Sequence, residues 1–126
     1  MWNVAPELMC SKHLVAEHLE THMFLGAMQK GTSMQGYLDN GILEIHTLEQ
    51  RHDVLVAEML KRGFNHRSPF IVKTPGLLDR VAGKVDPIAS YIELLDRCMG
   101  CRALAPSPKG RVEVETPPYE ELRQRG

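Results

Sequence analysis

Long apolar runs are missing from this sequence of 126 residues. No stretch approaches the roughly 20 residues needed to span a bilayer, which excludes a transmembrane helix. The first residues show neither the basic region nor the apolar stretch of a secretion signal, so the expected location is the cytoplasm. Cysteine is scarce and odd in number at three, which argues against a disulfide framework and for a reducing compartment. Net charge is also nearly absent: at −1, the chain lacks the global positive field of a committed nucleic-acid binder. The charge is unevenly spread, however. Residues 1–60 carry three Lys/Arg against eight Asp/Glu, a balance of −5, while residues 61–126 carry twelve against eight, a balance of +4. A basic second half can still track phosphates.

With 43% apolar and 25% charged residues, the composition is that of one globular domain large enough for its own core. Three stretches have helical character. Ser11 to Met28 places His13, Glu17, Glu20 and Phe24 on one face at 100° per residue. His18 and His22 fall in a broad arc with Leu14, Val15, Leu19, Met23 and Leu25. Ser11 is the expected N-cap. Thr47 to Arg62 has an apolar stripe of Leu48, His52, Leu55 and Met59, a Thr47/Gln50 capping-box pattern, and Gly63 as its stop. The third helix is expected to start at Asp86 with Pro87 in the first helical position, and to run into Cys98-Met99-Gly100-Cys101. Residues 31–41 suggest a loop with one helical turn, and Leu77 to Val81 a short helix. The expected organisation is a helical domain over 1–104 and a Pro-rich extended tail over 105–126, where Arg111 to Glu115 could pair as an edge strand.

Three groups of residues have chemical potential. Glu17 and Glu20, three apart beside His13, suit acid/base work, although a solvated helix face is the plainer explanation. His18 and His22 at i,i+4 could chelate a metal, but the string His-Leu-Glu-Thr-His is not the zincin order, and a core role with His52 competes. Cys98 and Cys101 form half a zinc site or a redox pair, with Cys10 expected simply to be small and buried.

The strings KHLVAEHLETHMFLGAMQKG (12–31) and EQRHDVLVAEMLKRGFN (49–65) resemble the phage-type pyrimidine-dimer DNA glycosylases, the dimer-excising endonuclease V family. The resemblance covers roughly the first 65 residues. It implies an all-α fold: a compact three-helix domain with short extra helical turns and the N-terminal segment threaded between the helices. It also implies a reaction in which a free terminal amine attacks the sugar of a damaged nucleotide, followed by strand cleavage, with no metal or cofactor required. An ordinary α-amine, with a pKa of about 7.7–8.0, is partly uncharged near neutrality. Met1 stands where the nucleophile would be, Glu20 matches the family's catalytic glutamate, and His13 matches a histidine at the start of its helix.

Some positions depart from the family pattern. The chain begins Met-Trp rather than Met-Thr-Arg, and Trp2 is too bulky for aminopeptidase to expose. Leu19 and Met23 replace two phosphate-binding arginines, and Tyr119 alone stands for an aromatic tail. The expectation is therefore a monomeric glycosylase with AP-lyase activity, acting on damaged double-stranded DNA. Met1 and Glu20 are its catalytic centre, tuned by His18 and His22; His13, Lys61, Arg62 and Arg67 are its DNA contacts. A metal-dependent nuclease or hydrolase built on His18 and His22, and a non-catalytic nucleic-acid-binding module, are the alternatives.

Overall fold

The computed structural model describes residues 1–105. A short 3-10 helix at Pro6–Leu8 leads into α1 (Ser11–Gln29), followed by α2 (Gln35–Asp39), α3 (Leu48–Lys61), α4 (Pro87–Arg97) and α5 (Met99–Leu104). The regular elements among the described residues are thus all helical: three long α-helices, two short ones and the 3-10 turn. Almost all of the expected tail, including Arg111 to Glu115, lies outside them. No helix among the described residues is long and apolar enough to cross a membrane.

Local chemistry explains most of the boundaries. Asp86 caps α4 by accepting from the amides of Ile88 at 2.9 Å and Ala89 at 3.3 Å, and Pro87 fills the first position, where no amide is needed. At the end of α3, Gly63 adopts φ +89° while the amide of Phe64 reaches back to the Met59 carbonyl at 2.9 Å. This Schellman-type closure satisfies carbonyls that the helix leaves open.

Three local expectations are corrected. Ser11 is the first helical residue, and Cys10 occupies the cap position without a side-chain bond. Thr47 precedes α3, but its hydroxyl donates to Glu44 Oε1 at 2.8 Å, so the capping box does not form. Residues 77–81 are not helical: a turn over residues 75–78 takes their place, with Gly76 at φ +77°.

The faces of α1 also differ from the expected division. Leu14, Glu17, His18, Thr21, Phe24 and Leu25 are buried, whereas Leu19 and Met23 are 61% and 48% exposed. The supposedly polar flank with Glu17 and Phe24 therefore packs inward, because α3 supplies a cation for the carboxylate. Arg51 donates to Glu17 through Nε at 2.5 Å and Nη2 at 3.0 Å. Two apolar clusters form the core. One gathers Met1, Phe24, Leu43, Ile45 and Leu48; the other gathers Val4, Met9, Leu14, Leu55 and Leu94. Each fully buried leucine contributes about 1.5–3 kcal/mol, and Met1 and Val4 carry the N-terminal segment into both clusters.

Candidate functional site

Burial of the Met1 side chain fixes where its backbone amine must lie. That amine donates to Glu20 Oε1 on α1 and to the Ile42 carbonyl at 2.9 Å. The Met1 sulfur accepts from the Glu44 amide at 3.3 Å, giving the residue a second attachment. Met1 and Glu20, paired only by resemblance in the sequence, are thus in direct contact. The side chain of Met1 is fully enclosed while that of Glu20 is 36% exposed, so the carboxylate faces the solvent side of the pair. A cleft of about 300 Å³ opens against Met1 and Trp2, walled by Asn40, Ile42, Lys84 and Glu93. An amine, a carboxylate and an adjoining cleft can together activate a nucleophile and move its proton.

His18 and His22 turn away from this pair into a cluster of four imidazoles. Their Nε2 atoms lie 3.2 Å apart, and the rings of His52 and His66 complete the group, with ring centroids 4.8–6.4 Å apart. One ligand nitrogen from each residue falls within 4.8 Å of the others. Burial, followed by the charges of His22, His52 and His66, pushes the pKa of His18 down to about 4. Burial also lowers that of His22, with His52 and His66 adding to the effect. The ring Nε2 atoms of His52 and His66 are buried without a hydrogen-bond partner. The stripe position of His52 pointed to this cluster; His66 was missed because a Pro-containing connector carries no periodicity to place it.

A third group forms where α1 begins and α4 gives way to α5. Cys10, His13, Cys98 and Cys101 converge, and all three thiols are free. Burial pushes the Cys101 thiol up to about 12, while the Cys101 amide draws the Cys98 thiol down. His13, expected to touch DNA, directs its Nδ1 at Cys10 Sγ, 3.3 Å away. Its pKa is lowered by burial, then by Lys12 and Arg97.

The expected DNA contacts separate into two kinds. Arg62 is engaged internally: it donates to Glu58 at 2.8 Å, to the carbonyls of Pro6 and Met9 at 3.1 and 2.7 Å, and to Ser11 Oγ at 3.2 Å. Lys61 and Arg67 are exposed. Arg67 lies on a connector held along α1, since Phe70 packs on His22 and the Lys73 amide donates to Gln29 Oε1 at 2.7 Å.

A family model described as pyrimidine dimer DNA glycosylase matches residues 1–72, the span that contains Met1, Glu20, all four clustered histidines and Arg67. No curated protein and no solved structure matches the chain.

Proposed function

The chain belongs to the pyrimidine dimer DNA glycosylase family, and from that membership we propose that it removes damaged pyrimidines from DNA and cleaves the strand as an AP lyase, with the Met1 amine as nucleophile. The observation that carries this reading is the direct contact between that amine and Glu20 beside an open cleft. The neutral amine attacks C1′ of the damaged nucleotide. Its N–C1′ bond forms as the C1′–base bond breaks, and the base leaves the sugar with the electron pair and takes up a proton from solvent water. Glu20 accepts the proton that the amine gives up and returns it to the sugar ring oxygen as the ring opens to an imine. Loss of a proton from C2′ then expels the 3′ phosphate by β-elimination, and water hydrolyses the imine to free the amine.

The nucleotide must leave the stack to reach Met1. Lys61 and Arg67 are the phosphate contacts in this reading, with Arg62 retained as an internal clamp. Where relatives would use arginines, the exposed Leu19 and Met23 offer no charge, so the salt dependence of binding is shallow. Borohydride reduction in the presence of abasic or dimer-containing duplex tests the reading. A covalent protein–DNA adduct is expected, with strand cleavage lost in Glu20→Gln; no adduct at any pH removes the lyase assignment.

A second reading places a metal-dependent hydrolase at His18 and His22. The convergence of His52 and His66 on that pair favours a metal at this position. Four protein ligands nevertheless leave no open position for a reactive water, and such closure is the mark of structural rather than catalytic sites. Cleavage abolished by a chelator and restored by added metal, with no borohydride adduct, would establish this alternative.

A further inference from the structure

We propose that Cys10, His13, Cys98 and Cys101 bind one zinc ion, which ties the α4–α5 corner to the start of α1. The spacing supports this directly. Cys10 Sγ lies 3.3 Å from His13 Nδ1 and 3.6 Å from Cys98 Sγ, and Cys101 Sγ lies 3.6 Å from His13 Nδ1. All four ligand atoms fall within 4.8 Å of one another. Zinc bonds of about 2.3 Å to sulfur and about 2.0–2.1 Å to nitrogen put neighbouring ligands of a tetrahedron roughly 3.5–3.8 Å apart. Three soft thiolates and one imidazole form a closed donor set that suits zinc and leaves no position for a substrate.

The surrounding backbone is built to the same purpose. The Cys101 amide donates to Cys98 Sγ at 3.4 Å, and the Cys10 amide donates to Cys101 Sγ at 3.3 Å. Such donors stabilise the negative charge that thiolates keep when they ligate a metal. Between the paired cysteines, a Cβ at Gly100 would stand 3.0 Å from Cys10 Cβ and 3.6 Å from Cys98 Sγ. Glycine at this position lets the turn close over the cluster. A Cys10–Cys98 disulfide is the competing use of these atoms, but it engages neither buried Cys101 nor the inward-facing His13 nitrogen.

The ion would also steady the opposite end of His13. The Trp2 ring meets the His13 ring edge-on at 5.9 Å between centroids, and Arg97 lies 5.9 Å over the other ring system of the pair, that of Trp2. Zinc at His13 therefore braces the residue next to Met1.

Metal analysis, thiol titration and cobalt substitution of the full chain test the proposal. The wild-type protein is expected to hold about one equivalent of zinc through its cysteines. Its three thiols should be protected until a chelator is added, and cobalt should give a near-ultraviolet thiolate charge-transfer band. The double variant Cys98→Ser/Cys101→Ser should lose that equivalent and the band. Thiols that react freely in the untreated protein, cobalt bound without a thiolate band, or a mass deficit of one disulfide would overturn it. Metal held only by the histidine cluster gives the second of these results, and the wild-type measurements decide the matter even if the variant does not fold.

Discussion

Glu17 and Arg51 form a bidentate ion pair at the packed face of α1 and α3, at 2.5 and 3.0 Å, with neither side chain open to solvent. Arg51 is also steadied by Met9 Sδ at 3.4 Å, so the N-terminal segment joins the same contact. The pair fixes α1 one helical turn from Glu20. Removing one partner strands the other charge, which costs about 3–5 kcal/mol. Glu17→Gln should therefore lower the melting temperature by more than 10 °C, whereas the double change Glu17→Leu/Arg51→Met should recover much of the loss. Thermal unfolding followed by circular dichroism reads both.

Arg62 and Arg67 should separate cleanly in a salt titration of DNA binding. If Arg67 contacts phosphate as proposed, Arg67→Ala should flatten the slope of log affinity against log salt by about one. Arg62→Ala should leave the slope unchanged. It should instead destabilise the fold by about 1–3 kcal/mol, because the Pro6 and Met9 carbonyls lose their charged donor.

Gly83 packs its Cα closely against the backbone near the site. It adopts φ +86°, and a Cβ there would stand 2.0 Å from the Leu43 carbonyl oxygen and 2.8 Å from Leu38 Cδ2. Leu43 follows Ile42, whose carbonyl receives the Met1 amine. Gly83→Ala should cost several kcal/mol in denaturant unfolding and reduce strand cleavage further than the lost stability explains.

Much of this was legible in the sequence. Asp86-Pro87 and Gly63 announce helix ends through local backbone chemistry, and the structure keeps them. The inner face of α1 was not legible, because periodicity assigns a carboxylate to water unless its cation is known. Arg51 is 34 residues away from Glu17, and only the helix pairing brings them together. Cys10 and His13 were hidden for the same reason: their partners, Cys98 and Cys101, come from the far end of the domain. The exposed Leu19 and Met23 broke the apolar arc in the other direction.

Acid should weaken the fold through Glu44. Burial works against its charged form, but the Val85 amide at 2.6 Å, the Thr47 hydroxyl, Asn3 and His46 outweigh it and hold its pKa below the ordinary 4.5. Stability from a depressed carboxylate is full above its unfolded pKa and drains as pH falls from about 4.5 through the folded value. Wild-type protein should lose more stability than Glu44→Gln across that window in urea titrations, with Glu44→Gln already the less stable at neutral pH.

The proposed nucleophile is open to one decisive measurement. Wild-type protein reduced with borohydride on abasic duplex, digested and mass-mapped should carry the sugar remnant on the amine of the peptide beginning at Met1. Attachment at a lysine, or a chain whose amino end is blocked or precedes residue 1 yet still cleaves, would contradict the account.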